Sequence, residues 1–432
     1  MHATLTFDSH RLPAFQGSCG VVTHYLRKSL QALGYKVAEL YVPLTDKTSV
    51  IRVPRFDRPS PEDVRVFFEE LFVRAEDTPE FWKTKNVSFF NLLATEGLER
   101  QGQADLVLMN SKFMVDAFKV EMSERGAALP VRLGWVPLPL PLFDFPKGYP
   151  SGGGAIGRGD FRALARDAHV GHAVRPHKMD CFATLSILHH LNEGASKAGT
   201  KPFSLVVPQV DFDRCEQAID AIPLPKDVLD ALVPIPYINN RSMIWIMSQS
   251  SFGLCYDHFV EPFGYYPIES VYVGCPVFAN GAGNVRHVLP KGSGIFTHET
   301  MAMHFGSLEE RVAAYQPVAT AIARTVSRPR SKACGKGADY IRKHHRPQDF
   351  TAAMERHLHA LFHERPQRRP RPRFLTSPYL RLADWERGRF VTDHGNIDQD
   401  PRAPEWKQLL AGKAPRTDMT QDDLDSRVLS LR

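Results

Sequence analysis

Apolar and polar positions alternate over residues 3–7, which predicts a short strand at the start of the chain. Gly17-Ser18-Cys19-Gly20 reads as a tight turn, and after it Val22, Tyr25, Leu26, Leu30 and Leu33 recur at helical spacing. Gly34 ends that helix and residues 36–42 resume as a strand, giving a βαβ opening. The pattern returns further on, where 104–109 form a buried-strand run, Asn110 and Ser111 suit a helix cap, and 112–118 continue as the helix. Units of this kind predict parallel sheet, with the ligand crevice beyond the carboxyl ends of the strands.

Residues 133–141 are extended and stiffened by proline, and 147–160, containing Ser151-Gly152-Gly153-Gly154, read as a linker. The second half repeats the alternation: strand at 170–176, amphipathic helix from about 180 to 191, strand at 203–208, helix around 213–222, loop and helix at 239–248, strand at 251–256. Beyond residue 366 the character changes to the basic, proline-rich Gln367-Arg-Arg-Pro-Arg-Pro-Arg373 and later the acidic Gln421-Asp-Asp-Leu-Asp425. The expected domains are 1–160, 161–362 and a C-terminal extension over 363–432.

Composition adds limits. At 432 residues the chain is too long for one ordinary core, which agrees with two α/β domains and an extension. It is 43% hydrophobic and 24% charged, as a globular protein is, and no run of about 18 apolar residues is present to span a bilayer. No basic segment with an apolar core precedes the first strand, so a cytoplasmic address is expected. The six cysteines stand singly without a Cys-x-x-Cys pair, against both a zinc knuckle and a disulfide framework. A net charge of +6 is compatible with a nucleotide, a nucleic acid or a membrane surface and selects none of them.

The most informative segment is 251–288, SFGLCYDHFVEPFGYYPIESVYVGCPVFANGAGNVRHV, which reads as strand, acidic loop, short helix, strand and glycine-rich loop. Pro267 suits a first helical turn, Ile268, Val271 and Tyr272 give an apolar face, and Gly274 with Pro276 stops the helix before a strand at 277–279. Such a helix points unpaired N–H groups at the crevice, where a diphosphate can sit. Glu261 precedes the helix and Glu269 lies within it, so the two acids reach different parts of an elongated ligand. Carboxylates that accept hydrogen bonds from hydroxyls hold a sugar or ribose.

Glu261-Pro-Phe-Gly-Tyr-Tyr-Pro-Ile-Glu269, with Gly274-Cys-Pro-Val277 and Gly281-Ala-Gly-Asn284, resembles the E-x7-E signature of retaining GT-B glycosyltransferases, family 4 in particular. The resemblance implies an α/β GT-B fold, two Rossmann-like doubly wound domains facing a central cleft. It implies that Glu269 binds the donor ribose, that Glu261 lies near the transferred hexose, and that the N–H groups of Phe263, Gly264 and Tyr265 line the sugar and phosphate site. Arg175 and Lys178 would neutralise the leaving diphosphate, and Gly17 and Gly20 would let backbone approach the donor phosphate. Two departures stand out. The similar enzymes place their Arg and Lys five apart after a Gly-Arg pair, whereas here Gly171 precedes His172 and the basic pair is three apart. They also often present a histidine from the first domain, and 89–97 has none, leaving Asn91, Thr95 or Glu96 to face the cleft.

Val210-Asp211-Phe212-Asp213 mimics the Asp-x-Asp of metal-dependent transferases, yet Asp211 or Asp213 also suits a helix cap, and the cap is the expectation. His359 and His363 stand four apart, but Ala360 occupies the place where a zinc protease motif needs Glu. The expected activity is therefore metal-independent hexosyl transfer, with no cofactor, from a nucleotide-diphosphate sugar to the hydroxyl of a saccharide, lipid-linked sugar or metabolite. A hydroxymethylated base in DNA is the alternative acceptor, because Gly17–Val21 and Met247–Gly253 look loosely like phage α-glucosyltransferases. A catalytically inactive nucleotide-sugar-binding protein is the reading from another class.

Overall fold

The structure, a computed structural model, describes residues 1–8, 17–42, 50–53, 55–56, 59–69, 71–90, 98–124, 127–144, 158–236, 240–257, 261–280, 283–298 and 307–365. Among these described residues, twelve strands form two six-stranded parallel sheets. The first holds β1 (His2–Asp8), β2 (Lys36–Val42), β3 (Val64–Phe68), β4 (Lys85–Phe90), β5 (Leu106–Met109) and β6 (Leu133–Trp135) in the order β2-β1-β3-β4-β5-β6. The second holds β7 (His169–His172), β8 (Phe203–Pro208), β9 (Leu232–Ile235), β10 (Phe252–Cys255), β11 (Val277–Ala279) and β12 (Ile295–Thr297) in the order β12-β11-β10-β7-β8-β9. Both orders reverse direction once, between β1 and β3 in the first sheet and between β7 and β10 in the second. In a doubly wound sheet that reversal is where a crevice opens at the carboxyl ends of the strands.

Inner strands are largely apolar because they are covered on both faces: every residue of β3, β5, β10 and β11 is buried, Arg65 of β3 included. The edge strand β2 is largely exposed or half-buried. The first helix spans Gly17–Ala32, so Gly17-Ser18-Cys19-Gly20, expected as a tight turn, is instead its opening turn. Burial of Val21, Val22, Tyr25 and Leu26 outweighs the roughly 1 kcal/mol that each glycine costs a helix. Gly34, at φ +85°, ends the segment as expected, and the Tyr35 N–H returns to the Leu30 carbonyl at 3.0 Å.

Contacts divide the chain into two compact units, residues 1–144 with the described residues from 342 on, and 145–341. The Pro347–His363 helix therefore belongs with the first sheet, whereas the expected second domain ran through residue 362. Its stripe of Phe350, Ala353, Met354, Leu358 and Leu361 is buried, with Phe350 6.5 Å from the Tyr25 ring and 6.4 Å from that of Phe89. Arg132 Nε donates to the Ala360 carbonyl at 3.1 Å and Ser29 meets Thr351 at 2.8 Å. An amphipathic stripe announces that a helix is covered without saying which core covers it. The 147–160 linker and the 363–432 extension fall almost wholly outside the described residues, although a helix already begins at Arg158.

In the second unit Gly171 is required by close packing. A methyl there would come within 2.3 Å of the fully buried Phe252 ring, which itself packs on Phe203. Gly171→Ala is expected to lower stability by about 1–3 kcal/mol through overpacking. Gly194→Ala, exposed in the Cys181–Ala198 helix with open space around its Cβ, should gain roughly 0.5–1 kcal/mol. Urea midpoints of the two variants moving the same way would contradict this reading.

Candidate functional site

The loops that leave β7 and β10 meet at the reversal point of the second sheet. The β7 loop carries Arg175 and Lys178; the β10 loop carries Asp257 and Glu261. The two are stitched together, since Met179 and Asp257 form an antiparallel bridge and the Asp180 N–H donates to the Tyr256 carbonyl at 2.8 Å. Across this seam Arg175 donates one guanidinium nitrogen to Asp257 and the other to Glu261 at 2.5 Å. The guanidinium also sits 5.6 Å from the Tyr266 ring centroid, a cation–π distance.

Asp257 is buried and the Arg175 and Glu261 side chains are largely so, which couples their charges strongly. Burial works against the Arg175 charge, but Asp257 and Glu261 outweigh it and hold the pKa above the ordinary arginine value. Glu261 is pulled below the usual carboxylate range because Arg175 and then Lys178 overcome its burial. Asp257 goes the other way, raised by burial and by repulsion from Glu261 despite Arg175. Lys178 is lowered by burial and by the Arg175 charge, with Glu261 and Asp257 opposing.

Glu261 also organises the turn into the next helix, Tyr265–Tyr272. Its Oε1 accepts from the Gly264 N–H at 3.1 Å and its carbonyl from the Asn284 N–H at 2.8 Å. Gly264, at φ +108°, is the N-cap, a conformation open to glycine and strained for any residue with a Cβ. Phe263 and Tyr265 flank it with their rings edge to face at 4.9 Å. The helix is locked to β7 through His172. Ser270 gives its one hydroxyl hydrogen to the Cys275 carbonyl at 3.0 Å, so His172 Nε2, 3.1 Å away, donates to Ser270. The Tyr266 hydroxyl donates to the His172 carbonyl at 2.8 Å and lies 2.7 Å from His172 Nδ1.

Glu269 sits on this fixed helix, 6% exposed, and among the described residues no hydrogen bond or ion pair holds its carboxyl. Burial raises its pKa to about 8, with the Arg175 charge pulling the other way. A carboxyl that burial keeps protonated is ionised more readily when a ligand supplies donors to its charged form.

The structure thus brings Arg175, Lys178, Glu261, Phe263, Gly264, Tyr265 and Glu269 to one end of one sheet. Arg175, expected at the leaving diphosphate, and Glu261, expected near the hexose, are in direct contact. Gly17 and Gly20 open the helix after β1, in the other unit. Asn91, Thr95 and Glu96 lie outside the described residues. The expected cap role of Asp211 or Asp213 is overturned, because the helix is Gln209–Ala218 with Pro208 as N-cap and no side-chain cap. It starts four residues earlier than the pattern suggested, since proline favours the extended entry and Gln209 continues from it.

For a metal, His189, His190 and Glu193 on the Cys181–Ala198 helix bring ligand atoms within 4.8 Å of one another. Glu193 is already paired with Lys197 at 2.9 Å and His190 Nε2 lies 2.9 Å from the Val312 carbonyl. His359 and His363 are exposed, with ring centroids 4.7 Å apart.

Sequence reasoning missed Asp257, Tyr266 and His172. The signal for Asp257 was present, as an acid two residues past a buried parallel strand stands at the crevice. His172, where similar enzymes have Arg, and Tyr266 had no local signal, because their bond joins residues 94 positions apart.

No family model matches the sequence, and no curated protein does. Solved structures match across most of the chain. A UDP-forming α,α-trehalose-phosphate synthase from Burkholderia xenovorans aligns with TM-score 0.56 and 11% identity, covering 84% of this chain and 99% of that one. An E. coli trehalose-6-phosphate structure bound with UDP-2-fluoro glucose gives 0.56 and 10%, covering 85% and 100%. A sucrose-phosphate synthase from Thermosynechococcus elongatus gives 0.50 and 14%, covering 83% and 98%. Among the described residues no helix is long and apolar enough to cross a membrane. Together with the two doubly wound parallel sheets, these likenesses identify the chain's architecture as the GT-B fold of glycosyltransferases.

Proposed function

We propose that this protein is a metal-independent retaining glycosyltransferase that moves a hexose from a nucleotide-diphosphate sugar to a hydroxyl acceptor. One observation carries the reading: Glu269, a carboxyl whose pKa burial raises to about 8 and which no hydrogen bond or ion pair among the described residues holds, shares the reversal point of the second sheet with an ion-paired acid and two cations. Ribose hydroxyls would satisfy Glu269. Glu261, held by Arg175, lies beside the hexose, and the Phe263, Gly264 and Tyr265 turn lines the sugar and phosphate. Lys178 neutralises the diphosphate as its bond to the anomeric carbon breaks and the acceptor oxygen bonds that carbon. Arg175 is committed to Asp257 and Glu261, so its chief role is to fix Glu261 and set the local charge. Retention is supported by the E-x7-E resemblance. The neighbouring structures, one UDP-forming and one holding a UDP-hexose analogue, make a UDP-hexose the first donor to test and a sugar phosphate the first acceptor. A cytoplasmic setting suits these substrates.

Calorimetry with UDP-, GDP- and ADP-hexoses, followed by proton NMR of the product anomeric centre, tests this. An inverted product removes the retaining assignment, and absence of binding to every donor removes the whole reading. Lys178→Met is expected to lower kcat by about 10²-fold, the scale for losing one charge-stabilising group, with a smaller change in donor KM.

A further inference from the structure

We infer that Asp211 is a positioning residue: from the first turn of the Gln209–Ala218 helix it pins the loop that carries Arg175 and Lys178. Asp211 is fully buried, and its Oδ2 accepts from the backbone N–H of His177 at 3.1 Å. Its Oδ1 accepts from Arg214 at 3.0 Å, which balances the charge from the same helix. His177 is in the left-handed region at φ +65°, where a side chain with a Cβ stays only if its surroundings hold it. The Asp211 bond is that hold.

The loop is therefore fixed at two places. Beyond the tip, Met179 bridges Asp257 and the Asp180 N–H meets Tyr256, which ties it to β10. At the tip, one residue before Lys178 and two after Arg175, Asp211 is the acceptor for the His177 N–H among the described residues. Releasing that bond lets His177 leave its strained conformation, and Lys178 turns with it. Arg175 stays attached to its two carboxylates, so the displacement falls on the lysine. The acid pair 211 and 213 thus divides its work, with Asp213 accepting from Gln209 at the surface and Asp211 facing inward to the loop.

This inference rests on the proposed function for its kinetic consequence but not for the pinning itself, and the experiment separates the two. Amide hydrogen exchange over residues 173–180 reads the pinning directly. Asp211→Ala should speed exchange there by about 10-fold or more, while exchange in the β8 and β9 strands stays unchanged. Asp211→Asn keeps an oxygen for the His177 N–H and should hold exchange near the wild-type rate. With UDP-hexose as donor, D211A should lose about 10² in kcat, as misplacement of a catalytic group does, and D211N should recover most of it. Placing glycine at 177, where left-handed backbone is unstrained, should restore part of the loss in the D211A/H177G double variant. A purely structural role would shift stability without that rescue. Unchanged exchange at 173–180 in D211A overturns the inference. Faster exchange in a chain whose wild type binds none of the UDP-, GDP- and ADP-hexoses leaves the pinning standing and removes the glycosyltransferase reading instead.

Discussion

Arg175→Ala is expected to destabilise the second unit by about 3–5 kcal/mol, the largest loss of any single site substitution considered, because it strands two carboxylates away from water. The Arg175, Asp257 and Glu261 side chains are 14%, 7% and 12% exposed, so solvent cannot replace the guanidinium. The loss comes from the groups left behind rather than from the strength of the pair, and this gives a specific test. Neutralising the stranded acids in the same background, as R175A/D257N/E261Q, should recover most of the stability while leaving donor turnover absent. Arg175→Lys should recover only part, since a single ammonium cannot bridge two carboxylates as a planar fork does. Urea midpoints at pH 7 measure all three. An R175A protein as stable as wild type, or a triple variant no better than R175A, would show that the acids find other partners and that the ion pair is incidental. The pH course adds a check. Glu261 has its pKa lowered in the folded protein, so its contribution is present above the unfolded carboxylate value and is lost as pH falls through the depressed one.

What could be read from the sequence depended on whether the deciding interaction was local. Strands 203–208 and 277–279 coincide with β8 and β11, because burial on both faces leaves a largely apolar run bounded by turn residues, and 36–42 coincides with the edge strand β2, which begins just past the Gly34 stop. The Cys181–Ala198 helix begins beside Asp180, whose side chain accepts from the Ala183 N–H at 3.1 Å, as expected of an Asp ahead of an apolar stripe. Its end was underestimated, since Glu193 and Lys197 face water and Asn192 is turned to the Phe203 backbone, so no apolar period continues, and the stop is Gly199 at φ +61°. Helix starts at Gly17 and Gln209 were placed late for a related reason: glycine and proline read as breaks even where tertiary burial carries the helix through them or begins it just after. The same limit held at the site. The acids at 261 and 269 and the cations at 175 and 178 stood out by type and spacing. That Arg175 is spent on Glu261, 86 residues away, and on Asp257 follows only from the strand order. Asp211 looked like a metal ligand or a cap because its true partner, His177, lies 34 residues earlier in a loop whose conformation no local rule predicts.

Donor binding at pH 7 is expected to release close to one proton, and the affinity should rise with pH until about 8 and then level off. Burial holds the Glu269 pKa at about 8, so the unliganded carboxyl is mostly neutral at pH 7. Hydroxyls of a ribose donate to its ionised form, which lowers the pKa on binding and expels the proton. Calorimetry in buffers of different ionisation enthalpy reads this as a binding heat that depends on the buffer. Glu269→Gln removes the dependence and should weaken binding at pH 8 more than at pH 6, where the wild-type carboxyl is itself neutral. Without ligand the same group acts on stability in the opposite direction from Glu261. A carboxyl whose folded pKa exceeds its unfolded value of 4.5 binds more protons when folded, so its contribution is most favourable below 4.5 and declines as pH climbs to about 8. Wild type should therefore lose stability relative to E269Q across that window and run parallel to it above. If the binding heat is independent of buffer while the stability gap behaves as described, Glu269 is a buried acid that the donor does not touch, and the ribose must be held elsewhere.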